Sequence, residues 1–333
     1  MRTLLTGLVG LLLCTGCTAA YDNDGEIRPP GRLAAPAAKQ ADAIEVVVDT
    51  DLAPDDLVAL AFLLRHPGVR VLAVTVPSTG LVTCPTGVDL AQDLVTAVGS
   101  APVPISCGTA ERGPHGIPFP ASWASAAVLD NGFTREPAVT AAEPVEETPA
   151  ELIARLARER PRLQVVALGP ATELAALLAG DPAGYARIDR IIAMTGVREG
   201  PPQDDLAGEW NAAADPDSLA AVLGGPVPVT VVPHEVVPDG SPAGMRAPVV
   251  GGIGVLTGYP TPRFWDLATA AYLTVPEAGE TVSGTWSVAL VDEPGRLTRI
   301  GDGDDEVVSD LDADLLDDAY REVFRAEAGP ALG

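Results

Sequence analysis

Val48-Asp49-Thr50-Asp51-Leu52-Ala53-Pro54-Asp55-Asp56 holds four carboxylates within eight residues. The run that feeds it, residues 43–48, is apolar except for Glu45, the pattern of a strand covered on both faces. Residues 55–65, which leave it, carry apolar side chains at helical spacing and stop at His66-Pro67-Gly68, a helix-ending signal. A turn from buried strand to helix is where open α/β sheets gather their ligands. One carboxylate suffices to cap the helix or favour its dipole. Four so close repel one another unless a cation joins them, and calcium takes about 6–8 oxygen ligands. A solvated acidic turn is the plain alternative.

The same alternation continues on the far side of this turn. Residues 69–76 read as a second buried strand, 86–98 as a helix and 103–105 as a short strand. Residues 108–149 show no clear period and are dense in Pro, Gly and Ala, the mark of a functional loop or lid. Then come a helix at 150–159, a strand at 163–168, a helix at 172–178 and a strand at 188–194. Residues 215–223 read as helix, 227–232 as extended, 264–273 as helix, 286–291 as strand and 311–324 as an amphipathic helix. Strands alternating with helices predict an α/β fold, an open and mostly parallel sheet with helices on both faces.

The chain has 333 residues, 47% hydrophobic and 20% charged, a globular composition. Acidic residues outnumber basic ones 46 to 21, for a net charge of -25. That field repels a phosphate backbone, so no nucleic-acid partner is expected. Arg2 precedes an apolar run at residues 4–13 that is too short to span a bilayer and reads as the core of an export signal. Leu13-Cys14-Thr15-Gly16-Cys17 resembles a bacterial lipobox, with Cys14 where Leu is usual. Residues 1–17 are therefore expected to be a lipoprotein-type signal peptide acylated at Cys17, with simple secretion as the alternative. Residues 18–42, rich in Pro, Ala and Gly, read as a flexible tether, and 43–333 as the folded domain. The protein is expected outside the cell membrane, touching it only through the lipid anchor. In that oxidising compartment Cys84 and Cys107 form an even pair, either a disulfide or two buried thiols.

Asp49-Thr50-Asp51-Leu52-Ala53-Pro54-Asp55-Asp56 resembles the N-terminal aspartate motif of the inosine-uridine preferring nucleoside hydrolase family, whose usual form has Pro-Gly where Leu52-Ala53 stands. Other matches follow in family order. Leu168-Gly169-Pro170-Ala171-Thr172-Glu173-Leu174 is similar to the family's Gly-x-Leu-Thr-Asn turn, and Ile191-Ile192-Ala193-Met194-Thr195-Gly196 to its Met-Gly-Gly strand end. Glu209-Trp210-Asn211 resembles Glu-Phe-Asn, Asp215-Pro216 the start of an Asp-Pro-Glu-Ala helix, and Phe264-Trp265-Asp266-Leu267-Ala268 the late His-Asp segment. The likeness covers about residues 43–325, and the ordered set is far more specific than any single motif.

This resemblance implies calcium-dependent hydrolysis of the N-glycosidic bond of ribonucleosides, with a nucleoside or riboside as the small-molecule partner and a homo-oligomeric assembly. It assigns calcium to Asp51, Asp56, the Leu168 carbonyl and Asp266, and ribose contacts to Asp55, Met194, Glu209 and Asn211. Thr79 stands where the family has an Asn, at the same substrate face. Asp49 would support the loop from behind the ligands. Such a reaction passes through a ribosyl cation-like state that carboxylates stabilise. Calcium acidifies water less than zinc does, so a carboxylate must take the proton of the attacking water, and Asp51 is the choice.

Departures from the family pattern bear on the leaving group. Trp265 replaces the late His, and an indole is no general acid at neutral pH, though it can stack. The Gly-Asn before Glu-Phe-Asn is missing from Gly200-Pro201-Pro202-Gln203, and the flap His-Gly is missing from residues 121–133. Trp123 and Trp210 could help, but such residues are more often core. A binding lipoprotein that keeps the calcium and ribose cradle without turnover is the rival reading. An aspartate-based phosphatase also fits Asp49-Thr50-Asp51, yet it needs a lysine, and Lys39, the only one, lies in the tether. Gly252-Ile253-Gly254 is too short for a dinucleotide motif. The acidic stretches 302–306 and 310–314 lack the calcium-loop glycine and read as solvated surface. His66, His115 and His234 read as isolated, with His66 at a helix end.

Overall fold

In the computed structural model the apolar run before the acidic turn forms strand β1 (Ile44–Asp49), buried from Val46 onward. The structure describes residues 20–21, 27–28, 36–129, 143–198, 209–238 and 264–324. Helix α1 (Pro54–Arg65) begins with a proline where a missing N–H costs nothing, and Asp55 and Asp56 meet the positive end of its dipole. All of its residues are buried, so it is a core helix. Strand β2 (Val69–Val76), helix α2 (Thr86–Ala97) and strand β3 (Ile105–Cys107) follow. Helix α3 (Ala121–Leu129) leads to α4 (Pro149–Glu159), strand β4 (Gln164–Ala167), α5 (Thr172–Gly180) and the single turn α6 (Pro182–Tyr185). Then come β5 (Arg190–Met194), α7 (Trp210–Ala214), α8 (Pro216–Leu223) and β6 (Val229–Val232). Helix α9 (Trp265–Thr274), strands β7 (Gly279–Val288) and β8 (Leu297–Leu311), and helix α10 (Ala313–Val323) complete the domain.

These strands form one eight-stranded sheet in the order β3-β2-β1-β4-β5-β6-β8-β7. Every neighbouring pair is parallel except β7 with β8, which run antiparallel. The period of two along β1 divides two cores. Val46 and Val48 pack with Leu60, Leu90 and Leu267 on one face, whereas Val47 packs with Leu152, Leu174 and Leu219 on the other. The sheet is thus covered on both faces, as the unbroken apolar runs require. Strand order reverses between β1 and β4, which leaves a crevice at their C-terminal ends, the usual ligand position in such sheets.

Several segments differ from the sequence reading. The strand expected at 286–291 begins at Gly279 and ends at Val288. The acidic stretch 302–306 lies within β8, whose exposed Asp302 and Asp304 sit near register shifts while Val307 and Val308 are buried. Residues 121–129, expected as loop, form α3, whose Ala- and Ser-rich sequence carries no apolar period. The end of the expected tether is docked: Lys39 Nζ donates to the carbonyls of Leu64 and His66, both at 2.8 Å, capping α1. Partial burial, with Arg70 and Arg65 nearby, pulls that ammonium down to about 8. The signal segment 1–17, Cys17 and Gly252-Ile253-Gly254 lie outside the described residues. Among the described residues, no helix is long and apolar enough to cross a membrane.

Helix α4 carries a complete capping box, in which the Thr148 side chain accepts from Glu151 N and Glu151 accepts from Thr148 N. Thr148→Ala should therefore lower stability by about 1 kcal/mol. Urea unfolding checks this, and an unchanged midpoint would show that the box contributes nothing.

Candidate functional site

The crevice at the end of β1 is built by leaving the sheet abruptly. Thr50 N–H donates to Thr75 O at 2.9 Å, and Leu168 N–H donates to Asp49 O at 2.7 Å, so both neighbouring strands hold β1 to its last residue. Leu52 then adopts φ 59°, a left-handed conformation that a bulky residue takes only when its surroundings enforce it. Its side chain is fully buried, which supplies that enforcement.

Five carboxylates converge here. Oxygens of Asp55, Asp56 and Asp266 lie within 4.8 Å of one another. Asp266 arrives from the first turn of α9, which packs against α1. Thr50 Oγ1 donates to Asp56 Oδ1 at 2.5 Å, Leu81 N–H to Asp51 Oδ2 at 2.8 Å and Thr75 Oγ1 to Asp49 Oδ1 at 2.6 Å. Asp266 Oδ1 and Asp49 Oδ2 are buried without a hydrogen bond. Burial pushes Asp51 up to about 7 and Asp49 up to about 8. It also raises Asp55, Asp56 and Asp266, and for Asp56 and Asp266 the neighbouring carboxylates add to the rise. Like charges that are this dry must share protons or a cation. The donors are all oxygen, the choice of a hard divalent ion.

Across the crevice, Asn211 Nδ2 donates to the Leu168 carbonyl at 2.7 Å and to the Met194 carbonyl at 3.2 Å. Glu209 caps α7: its oxygens accept from Asn211 N at 2.7 Å, Ala212 N at 2.9 Å and Gly196 N at 2.9 Å. Burial pushes Glu209 up to about 7 against those bonds. Gly196 supplies the positive φ of 76° with which the chain leaves β5. Thr79 is buried, and its hydroxyl lies 2.6 Å from that of Thr172. Trp265 Nε1 donates to the His234 carbonyl at 3.2 Å, and its ring stacks on His234 with centroids 6.2 Å apart. Trp210 stacks on Phe119 and meets Trp123 at 4.8 Å, and Trp123 is 40% exposed.

Sequence reading passed over several residues here. Asp215 is fully buried and accepts from Gly113 N, Thr172 Oγ1 and Ser218. Its place before Pro216 is a helix-start signal, but its other partners are distant in sequence. His115 is not isolated: its Nδ1 lies 2.8 Å from Asp217 Oδ1. His66 ends α1 as expected. Cys84 and Cys107 form the disulfide, with Cα atoms 6.0 Å apart.

A profile of the inosine-uridine preferring nucleoside hydrolase family matches residues 46–296. The chain belongs to that family. Among curated proteins, it is 29% identical over 183 residues to a probable uridine nucleosidase 2 of Oryza sativa subsp. japonica, a match over 54% of this chain and 53% of the relative. It is 30% identical over 190 residues to the pyrimidine-specific ribonucleoside hydrolase RihA of Klebsiella pneumoniae, covering 57% and 60%. The chain thus spans somewhat more than half the length of the curated relatives it matches. Its fold resembles the inosine-uridine preferring nucleoside hydrolase of Bacillus anthracis, with a TM-score of 0.70 at 20% identity over 85% of this chain and 99% of the other. The plant nucleoside hydrolase PpNRh1 gives 0.69 at 21% identity over 85% and 99%. The nucleoside hydrolase fold thus carries the acidic crevice at its strand ends.

Asp49, Asp51 and Glu209 all have folded values above their ordinary ones. The native state therefore binds more protons than the unfolded chain from about pH 4 to about pH 8, and stability falls as pH rises through that window. Protein stripped with chelator should melt at a higher temperature near pH 5 than near pH 8. The reverse order in a thermal scan would contradict the burial described.

Proposed function

We propose that this chain hydrolyses the N-glycosidic bond of ribonucleosides, releasing ribose and base, with calcium held by Asp51, Asp56, Asp266 and the Leu168 carbonyl. The observation that carries the reading is the convergence of Asp55, Asp56 and Asp266, whose oxygens lie within 4.8 Å of one another beside the buried Asp51, with Asp266 Oδ1 left without a hydrogen bond. Those residues fit a hard cation: all are oxygen donors, and the carbonyl of Leu168 keeps a second lone pair beside its bond from Asn211. When bound, the ion supplies charge that offsets the carboxylates and acidifies a neighbouring water.

Asp51 takes the proton of the attacking water, its Oδ2 oriented by the Leu81 amide. Asp55, Met194 and Asn211 hold the ribose. Glu209 already carries three backbone donors, so its part is to fix Asn211 and the start of α7. Asp49 braces the turn through Thr75. The carboxylates facing the ribosyl ring stabilise its developing positive charge in a dry site. Trp265 has its only donor committed to His234 O, so it serves the leaving base by stacking alone.

That last observation also favours the second reading, a calcium- and riboside-binding lipoprotein without turnover. Export, lipid attachment at Cys17 and homo-oligomeric assembly belong to this proposal, and the Cys84–Cys107 disulfide supports an oxidising compartment. The names of the relatives make uridine the first natural nucleoside to try.

A nitrophenyl riboside departs with little protonation, so it should be hydrolysed faster than uridine or inosine, and only with calcium present. Asp51→Ala should lower both rates by on the order of 10²-fold or more. Trp265→Ala should slow the natural nucleosides more than the activated one. Ribose release reads the outcome. Tight calcium binding by calorimetry with no ribose from any riboside would select the binding protein instead.

A further inference from the structure

Two loops wall the crevice beside β1, residues 77–85 after β2 and residues 108–117 after β3. The first holds Asp51 from three sides. Leu81 N–H donates to its Oδ2 at 2.8 Å and Val82 N–H to its carbonyl at 2.9 Å. Gly80 lies so close that a Cβ there would stand 2.2 Å from Asp51 Cβ. Loop 77–85 has neither helix nor strand to fix it, and such segments open most readily. It is instead tied at both ends. Near its start, Ser78 donates from Oγ to Ala110 O and from its backbone N–H to Glu173 Oε1. At the strand end just before it, Gly108 N–H donates to Val76 O at 2.7 Å, and near its own end Cys84 is bonded to Cys107, the last residue of β3.

We propose that the Cys84–Cys107 disulfide is a positioning element for catalysis: by clamping loop 77–85 against β3 it presses the Leu81 amide onto Asp51 Oδ2 and sets the direction of that carboxylate. This role rests on the assignment of Asp51 as base and calcium ligand made above. A carboxylate whose oriented donor is lost can turn about its side chain, and a misplacement of about 1 Å can cost on the order of 10²-fold in rate. Both cysteines are partly buried against the core.

Three forms decide the matter: the oxidised protein, the same protein reduced with a water-soluble phosphine, and the Cys84→Ser/Cys107→Ser variant. In the reduction the phosphine becomes its oxide, with oxygen from water, while the two sulfurs take up two electrons and two protons. Amide exchange, calcium affinity and nitrophenyl riboside kinetics are measured on each. Loss of the bridge should speed exchange at Leu81 and Val82 by roughly tenfold or more. Exchange at Val47 and Val165 in the core strands should not change, which establishes that the reduced protein is still folded. Calcium should bind more weakly, and kcat should fall by roughly tenfold with KM little altered. Reoxidation should restore the native protein and leave the variant unchanged. A lower melting temperature with Leu81 exchange, calcium affinity and kcat all unmoved would overturn the inference, since the bridge would then serve stability alone. If the oxidised protein releases no ribose, the hydrolase reading fails by itself, while the exchange and calcium measurements still decide the role of the disulfide.

Discussion

Mutual repulsion among dry carboxylates is the constraint around which this domain is arranged. A charge taken out of water costs several kcal/mol unless it is paired, and here β1, α1 and α9 bring five carboxylates together. The fold meets part of that cost with uncharged donors. Asp49 and Asp56 receive threonine hydroxyls, and Asp51 receives a backbone amide from the adjoining loop. The dipole of α1 favours Asp55 and Asp56 at its first turn. None of these brings a full positive charge, and Asp266 keeps an oxygen without any partner. The arrangement is comfortable only when protons or a cation supply the difference.

That constraint explains why the surrounding packing is so apolar. Helix α1 buries all its residues between the sheet and α9, and the contact that removes its leucines from water also delivers Asp266 beside Asp55 and Asp56. Burying each such leucine contributes roughly 1.5–3 kcal/mol, so a few of them offset the desolvation of one carboxylate. Stability and site geometry therefore depend on the same helix pair.

How much of this was legible in the sequence follows from the range of each signal. The first strand and helix were legible because their evidence is local, an apolar run followed by a proline-started periodic segment. The acidic stretch of β8 was not, because an edge hairpin with one wet face leaves none of residues 302–306 buried, and the buried Leu297, Val307, Val308 and Leu311 flank the stretch. At the site, residue types were legible and partners were not. Nothing near Asp215 announces a bond from Gly113, 102 residues away. Glu209, a ribose contact by resemblance, shows its backbone partners only once α7 and Gly196 are folded against it.

Proton bookkeeping at Thr79 shows how one such hidden partner changes the chemistry of the crevice. Thr172 Oγ1 gives its single proton to Asp215 Oδ2 at 2.7 Å. In the short contact between the two threonines, 2.6 Å, Thr79 must therefore be the donor. Its hydroxyl proton is then spent, and only lone pairs remain to face the crevice. The Asn found at this position in the family pattern could both donate and accept, whereas Thr79 can only accept. Any group that meets it must bring its own proton, as a sugar hydroxyl does. Asp215, though remote in sequence, thereby sets the hydrogen-bonding polarity of Thr79.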